Sequence, residues 1–591
     1  HFFQLGGTSL QAIQILSHLE REGYHLKIND IFKYQNIRQL AKYMAGLDHG
    51  KINDINKAES LLYDKFGDVC KYVKYIVEHD SYYVLYIEDS LYAKEGRKIL
   101  AYIEDSFEEE IHPHYLRPLS QKPAIEGEEF IAGAKEFNQH LALKSGNWPE
   151  LLKLKRKLGR LEKRFHKSIC HSNAVKIYPL SPIQKGHLNM VNQYAGNLIR
   201  INRCIDQDKM IQAILKLIEV QSLLRSSVRK KDGGFAWYEH GFSENIPIPF
   251  IDLAGYEIGF GKQFEKAVLS LYFGRNYFSL GRLAYSIFLI KNNLREYTVV
   301  FPCSHSVFDA MSDEVIQRSL HTYYEKIKRN EPITSESGYD EYILQIKKGP
   351  QQISEAELIA LFELEDYKRS LLALKKSLRK NKSLDCLEFS INAKEINLHR
   401  PWEFSFSLFV SLCARYFQMT KIPLQTIYYG RHYQNRYYFD LVGEFLDIVP
   451  LLIDTGQDIK AIISNTQEKI KQLPEFNINF VSLLFDPDLR SKYPDIGKML
   501  LPDKDFFSTP LIIFNFEGEV KDFGQIYNIL KINQERYRKF PYRLLLFHVV
   551  YTREMMKCFV VTNICQDLTR VETILAEETA TACKKLESME G

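Results

Sequence analysis

The spacing of apolar residues divides this chain into regions of different character. In "TSLQAIQILSHLEREG", Leu10, Ile13, Leu16 and Leu19 fall on one helical face, and Gly23 marks a stop. "NDIFKY" and "NIRQLAKYM" read as two more short helices, so residues 1–48 form a small helical unit lacking its first helix. Residues 49–65 are polar and linker-like. "SYYVLYIED" and "KILAYIED" then carry strand-like runs around a charged segment, which predicts a small α/β piece over 66–130. "NWPELLKLKRKLGRLEKRFHK" (147–167) places Leu151, Leu154, Leu158, Leu161 and Phe165 on one stripe of a basic helix. From about residue 175 onward, helical patterns such as "DKMIQAILKLIEVQSLL" alternate with strands such as "REYTVVFPC", "TPLIIFNFEG", "YRLLLFHVVY" and "KCFVVTN". That last stretch is too long for one core and predicts two lobes.

Composition narrows the class. At 591 residues the chain is expected to hold three or four domains. Apolar residues at 45% and charged residues at 26% are the balance of a folded protein. A net charge of +4 over this length is close to neutral and argues against a nucleic-acid binder. The basic stripe is one helix long and reads as a linker helix lying on a neighbour. No apolar run reaches 18 residues, so no membrane span is predicted. "HFFQLGG" lacks the basic start and apolar core of a signal peptide, and reads as a chain entered within a domain. Nine scattered cysteines with no CxxC pair predict neither a disulfide framework nor a metal site. They fit a reducing, cytoplasmic setting.

Two stretches carry candidate chemistry. In "FFQLGGTSLQA", Ser9 follows a Gly-Gly turn and opens a helix. Ser9 or Thr8 can simply cap that helix. Alternatively the exposed Ser9 hydroxyl carries a phosphate, which a helix N-terminus favours. In "PCSHSVFDAMS" (302–312), His305 follows an apolar strand and Asp309 stands four residues on. A neutral imidazole there can take a proton near neutral pH, with Asp309 orienting the ring or stabilising the loop.

The wording of these motifs resembles a known family. "FFQLGGTSL" is similar to the phosphopantetheine attachment motif of peptidyl carrier (thiolation) domains of nonribosomal peptide synthetases, in its aromatic pair, Leu5, both glycines, the serine and Leu10. "SHSVFDAMS" resembles the HHxxxDG motif of the condensation domains of the same synthetases. Their other motifs have counterparts in order: "YPLSPIQKGHL" (178–188), "SLLRSSV" (222–228), "YYGRHYQN" (428–435), "LVGEFLDIVPLLI" (441–453) and "IIFNFEG" (512–518).

The resemblance implies a multidomain chain: a small all-α carrier of the four-helix type, then an α/β condensation domain of two chloramphenicol-acetyltransferase-like lobes with a tunnel between them. The expected division is an incomplete carrier at 1–48 and a linker with the small α/β insertion at 49–146. The basic linker helix takes 147–174, one lobe 175–350 and the other 351–591. Within 49–146, "IHPHYLRPLSQKPAIEGEEF" faintly resembles the end of an adenylation subdomain. Gly127 matches its glycine and Glu128 stands where its lysine would be; the simpler reading is a spacer.

The resemblance also assigns roles. Ser9 would bear 4′-phosphopantetheine. His305 matches the second histidine of the motif, acting as general base or positioning the nucleophile. Asp309 would be structural, paired in bidentate fashion with Arg431. The partners would be a carrier-bound acyl or peptidyl donor, a downstream carrier-bound acceptor and neighbouring synthetase modules. An amine acceptor gives an amide; ester formation or macrocyclisation uses the same tunnel.

Several positions depart from the family pattern. Ser304 replaces the first histidine, as in terminal cyclising and other fungal condensation domains, where a tyrosine lies at the spacing of Tyr324. Ala310 replaces a glycine, Gln221 a histidine, and Asp447 an asparagine. These departures leave room for a silent condensation fold used for docking. Ile427 stands where epimerization domains carry glutamate, and His305 contradicts the two-aspartate motif of heterocyclization domains.

Overall fold

The computed structural model describes residues 55–66, 73–78, 82–88, 96, 98–103, 106–107, 111–119, 148–189 and, with breaks, 194–587. The carrier-type helices of 1–48, Ser9, Gly127 and Glu128 lie outside the described residues.

The chain is a multidomain, mixed α/β protein. One lobe is built on a four-stranded sheet in the order Tyr194–Asn202, Glu296–Ser304, Phe288–Lys291, Phe250–Asp252. The strand Glu296–Ser304 is buried along nearly its whole length, as its aromatic and β-branched content predicts. A second, three-stranded sheet joins Ala174–Pro179, Gly234–His240 and Ser226–Lys231. The helices Gln207–Val220 and Ala310–Lys328 pack together over this lobe. The other lobe holds a six-stranded sheet ordered Asp385–Asn392, Met555–Thr562, Arg543–Tyr551, Pro510–Glu519, Lys421–Tyr429, Leu446–Asp454. Pro510–Glu519 runs parallel to both its neighbours, and the outer pairs are antiparallel. Stacked rings of Phe409, Phe514 and Phe547 fill the space under it.

The helix Trp148–Cys170 lies on the first lobe through the stripe the sequence predicts. Leu151, Leu154 and Leu158 pack with Ile251, Phe260 and Phe264, and Leu161 is half-buried beside them. Phe165 and Ile169 enter the lobe's main core. Ser286 Oγ donates to Glu162 Oε1 at 2.8 Å and meets His166 Nε2 at 2.8 Å, so the helix is also tied by polar contacts.

The small α/β piece has the helix Ile55–Phe66 and a sheet ordered Val73–Glu78, Tyr82–Glu88, Tyr115–Leu119. "KILAYIED" is not a strand: residues 98–103 are helical. Ile99 and Ile103, four apart, share one helical face and are both buried in the unit's core. A short apolar run has no decisive period, and burial settled it. The unit is fastened to the first lobe. Arg117 donates to the carbonyls of Ala254 (3.0 Å) and Tyr256 (3.1 Å), Arg295 to that of His112 (2.9 Å), and the Leu294 N–H to that of His114 (3.0 Å).

One excursion joins the lobes. After Tyr429 the chain leaves the six-stranded sheet, and Tyr433, Tyr438, Leu441, Val442 and Phe445 enter the core of the first lobe. It then returns as Leu446–Asp454. A sequence division near residue 350 sets these residues with the second lobe, but their rings pack on Tyr342 of the first. Close approach requires glycine here: a Cβ on Gly443 would run into the Tyr339 ring, and one on Gly430 would sit 2.8 Å from the Phe445 carbonyl. Among the described residues no helix is long and apolar enough to cross a membrane.

Phe165 is fully buried, with its ring edge-on to Tyr285 at 6.0 Å. Phe165→Ala is expected to cost about 3–5 kcal/mol, read as a lowered denaturation midpoint. A loss below about 1 kcal/mol would mean that the helix is not integral to the lobe.

Candidate active site

The buried strand Glu296–Ser304 delivers His305 to a single turn of 3-10 helix, His305–Val307, followed by the helix Ala310–Lys328. Ser304 is buried. Its Oγ accepts the Ser306 N–H at 3.3 Å and meets Ser306 Oγ at 3.1 Å, closing the turn. Asp309 caps the following helix: its Oδ1 accepts the Ser312 N–H and Ser312 Oγ–H, both at 2.8 Å, in a capping box. Ala310 is the first residue of that helix and has no positive φ, so the position does not call on glycine.

Arg431 reaches Asp309 from the inter-lobe excursion. Its Nη2 donates to Asp309 Oδ1 at 2.5 Å and to Ser312 Oγ at 3.1 Å. The pairing partner is the one expected, but the geometry is not bidentate. Nη1 is claimed by the carbonyls of Leu441 (2.5 Å) and Tyr438 (3.1 Å), which turns the guanidinium away from a fork-to-fork pair. The guanidinium also lies 4.1 Å from the Phe445 ring centroid. Both side chains of the ion pair are fully buried. Burial pushes the Asp309 carboxyl up, and the Arg431 charge opposes that shift.

The other family-like stretches gather around this loop. Gln184 donates to the Ser306 carbonyl at 2.7 Å and accepts from Trp237 Nε1 at 3.0 Å. Gln221 donates to the Asp440 carbonyl and accepts the Val442 N–H, each at 2.8 Å, so it holds the excursion by both ends of its amide. Asp447 accepts N–H groups from Ile448, Phe480 and Val481 at 2.8–2.9 Å and so seats the helix Phe480–Phe485. Tyr324 serves elsewhere: its hydroxyl accepts the Asp206 N–H at 2.9 Å, ahead of the helix Gln207–Val220.

Three residues that the motifs did not mark complete the site. Glu444 is fully buried, and its Oε2 accepts from His305 Nδ1 at 2.6 Å. Ser312 Oγ, whose hydrogen goes to Asp309, accepts the Gly443 N–H at 3.0 Å. The Tyr339 hydroxyl donates to the Glu444 carbonyl. The signal for Glu444 was a carboxylate inside the apolar run "LVGEFLDIVPLLI". The His305 side chain is 35% exposed, whereas Glu444 behind it is 0% exposed. The imidazole can therefore meet a ligand on one side while its Nδ1 is held on the other. Burial pulls the imidazole down, and the neighbouring Glu444 carboxylate outweighs that, with a net upward shift. Among the described residues no cluster of three metal-ligating side chains is gathered.

Comparison with known proteins bears on both ends of the chain. Residues 1–44 match the family described as "Phosphopantetheine attachment site". The chain therefore carries a carrier-type domain whose cofactor is 4′-phosphopantetheine. Over 51 residues it is 45% identical to nonribosomal peptide synthetase 5 of Gibberella zeae, covering 9% of this chain and 0% of that protein. Over 44 residues it is 43% identical to bacitracin synthase 3 of Bacillus licheniformis, covering 7% of this chain and 1% of that protein. The match thus spans only a sliver of these relatives' length. Among solved structures the chain is similar to the epimerization domain from the third module of tyrocidine synthetase B. The TM-score is 0.49 at 15% identity, over 70% of this chain and 98% of that one. It is also similar to the first condensation domain of the CDA synthetase, with a TM-score of 0.46 at 12% identity and the same coverage.

Two outcomes follow for this framework. Arg431→Met strands a buried carboxylate and is expected to cost about 3–5 kcal/mol in chemical denaturation. The Asp447 carboxyl is raised by burial from 3.8 to about 6. Between those values the folded chain keeps a proton that the unfolded chain has lost, so this group's contribution to stability falls as pH rises. Wild type is expected to lose stability relative to Asp447→Asn from pH 4 to pH 6. A pH-independent difference would show that the carboxyl is not perturbed.

Proposed function

We propose that the chain is a carrier–condensation unit of a nonribosomal peptide synthetase. It transfers an acyl or peptidyl group from a thioester on the 4′-phosphopantetheine of Ser9 to the nucleophile of an acceptor on a downstream carrier, forming an amide. The observation that carries this reading is the placement of His305. It is partly exposed at the end of a buried strand, on a loop that Arg431 ties to the other lobe. The carrier match at 1–44 supports an upstream acyl donor. A reducing, cytoplasmic setting and neighbouring synthetase modules belong to the same reading.

The bound cofactor supplies an activated acyl group; the chain's own residues handle the proton. With Nδ1 committed to Glu444, the proton of the attacking amine passes to Nε2 of His305 as the new N–C bond forms. His305 then returns that proton to the thiolate that leaves as the thioester C–S bond breaks. Asp309, Arg431, Ser304 and Ser306 keep the turn in place and touch no substrate.

A silent docking fold would rest on Ser304, Ala310 and Asp447. Each has an ordinary structural place here, as turn closure, helix start and helix seat, which favours the active reading. Ester formation or macrocyclisation remains the second reading, favoured by the Glu444 carboxylate on His305, since a hydroxyl nucleophile leans more on a base.

The test is reconstitution. Ser9→Ala is expected to abolish the mass gain on treatment with a phosphopantetheinyl transferase. With a loaded donor and an acceptor carrier, His305→Ala is expected to lower product formation by about 10²–10⁴-fold. Product equal to wild type would remove His305 from the chemistry.

A further inference from the structure

We propose that Glu444 is a positioning residue for His305: its carboxylate fixes the ring so that Nε2 faces the reactants, and it holds the imidazolium formed during transfer. This rests on the acyl-transfer reading of the site.

The geometry carries the proposal. A carboxylate with no exposed surface is costly unless it is partnered. Glu444 is partnered by His305 Nδ1 in a short hydrogen bond of 2.6 Å. Its backbone is pinned on both sides. The Gly443 N–H donates to Ser312 Oγ, Tyr339 donates to the Glu444 carbonyl, and Phe445 is buried in the core under Arg431. The Glu444 backbone is therefore held where its carboxylate reaches His305 Nδ1. An acceptor fixed on Nδ1 selects the tautomer with its proton there and leaves proton uptake to Nε2. This is the way an acid serves a histidine base in unrelated hydrolases. No oxidant, metal or additional reactant is required, because one proton moves from the nucleophile to Nε2 and on to the leaving group.

The charges bearing on the ring come from several elements. Glu444 is nearest; Asp309 acts from the next helix and is balanced by Arg431. Burial first, then the Glu444 charge, pushes the Tyr339 hydroxyl up, and burial, then Glu517 ahead of Asp309 and Glu444, does the same for Tyr429. Glu444 therefore dominates the charge environment of His305, and Glu444→Gln removes that charge while keeping its shape and its acceptor oxygen.

The experiment compares wild type, Glu444→Gln, Glu444→Asp and His305→Ala in full-length, carrier-loaded protein. In Glu444→Gln, kcat is expected to fall about 10- to 100-fold, a part of what a general base supplies, with little change in KM. The acid limb of the kcat/KM profile is expected to move to lower pH, because the imidazole loses the charge that raises it. NMR titration of the His305 ring, which needs no turnover, is expected to move the same way. Glu444→Asp is expected to restore part of both effects. An unmoved acid limb and an unmoved ring titration in a folded Glu444→Gln protein would overturn the proposal. If His305→Ala equals wild type, the acyl-transfer reading fails instead, while the ring titration still reports on Glu444.

Discussion

The site depends on one buried ion pair. Asp309 and Arg431 are 122 positions apart, have no exposed surface, and meet at 2.5 Å. Neither charge is tolerable alone in that interior. Satisfying both requires the excursion after Tyr429 to enter the first lobe, and that entry brings Glu444 to His305. The pair is not optimised for strength. Asp309 Oδ2 and Arg431 Nε have no hydrogen-bond partner among the described residues. A pair of this kind contributes more to selecting one arrangement of loop and crossover than to net stability.

Around it, polar side chains are spent on backbone rather than on each other. Gln184 holds the Ser306 carbonyl, Gln221 takes one carbonyl and one N–H of the crossover, and Asp447 takes three N–H groups. Loops cannot satisfy their own buried backbone groups, so each such contact fixes a segment where no sheet ladder can. The histidine thus sits on irregular chain that is nevertheless held at many points. The same economy explains the departures from the family pattern. Ser304 closes a turn, Ala310 begins a helix and Gln221 bridges segments, each with the chemistry it has.

Much of the frame was legible without coordinates. The strands Glu296–Ser304, Pro510–Glu519, Arg543–Tyr551 and Met555–Thr562 are long aromatic and β-branched runs, and the stripe on the helix Trp148–Cys170 has a clear helical period. The short run at 98–103 was not legible, because Ile99 and Ile103 suit either a strand or a helix until a core exists to receive them. Arg431 was identifiable as the partner of Asp309 through motif resemblance, but its single-pronged geometry was not. Two carbonyls that compete for Nη1 become neighbours only when the crossover folds back.

The sequence by itself determined the types of chemistry available: an attachment-type serine near the start, a histidine at a strand end, and an acid and an arginine in spaced motifs. Spacing and periodicity are local properties, and these features are local. Tertiary structure alone decided which carboxylate touches His305. Glu444 lies 139 positions away in an apolar run, and its role exists only because the buried charges and aromatic residues of the excursion after Tyr429 can be satisfied in one place, the core of the first lobe.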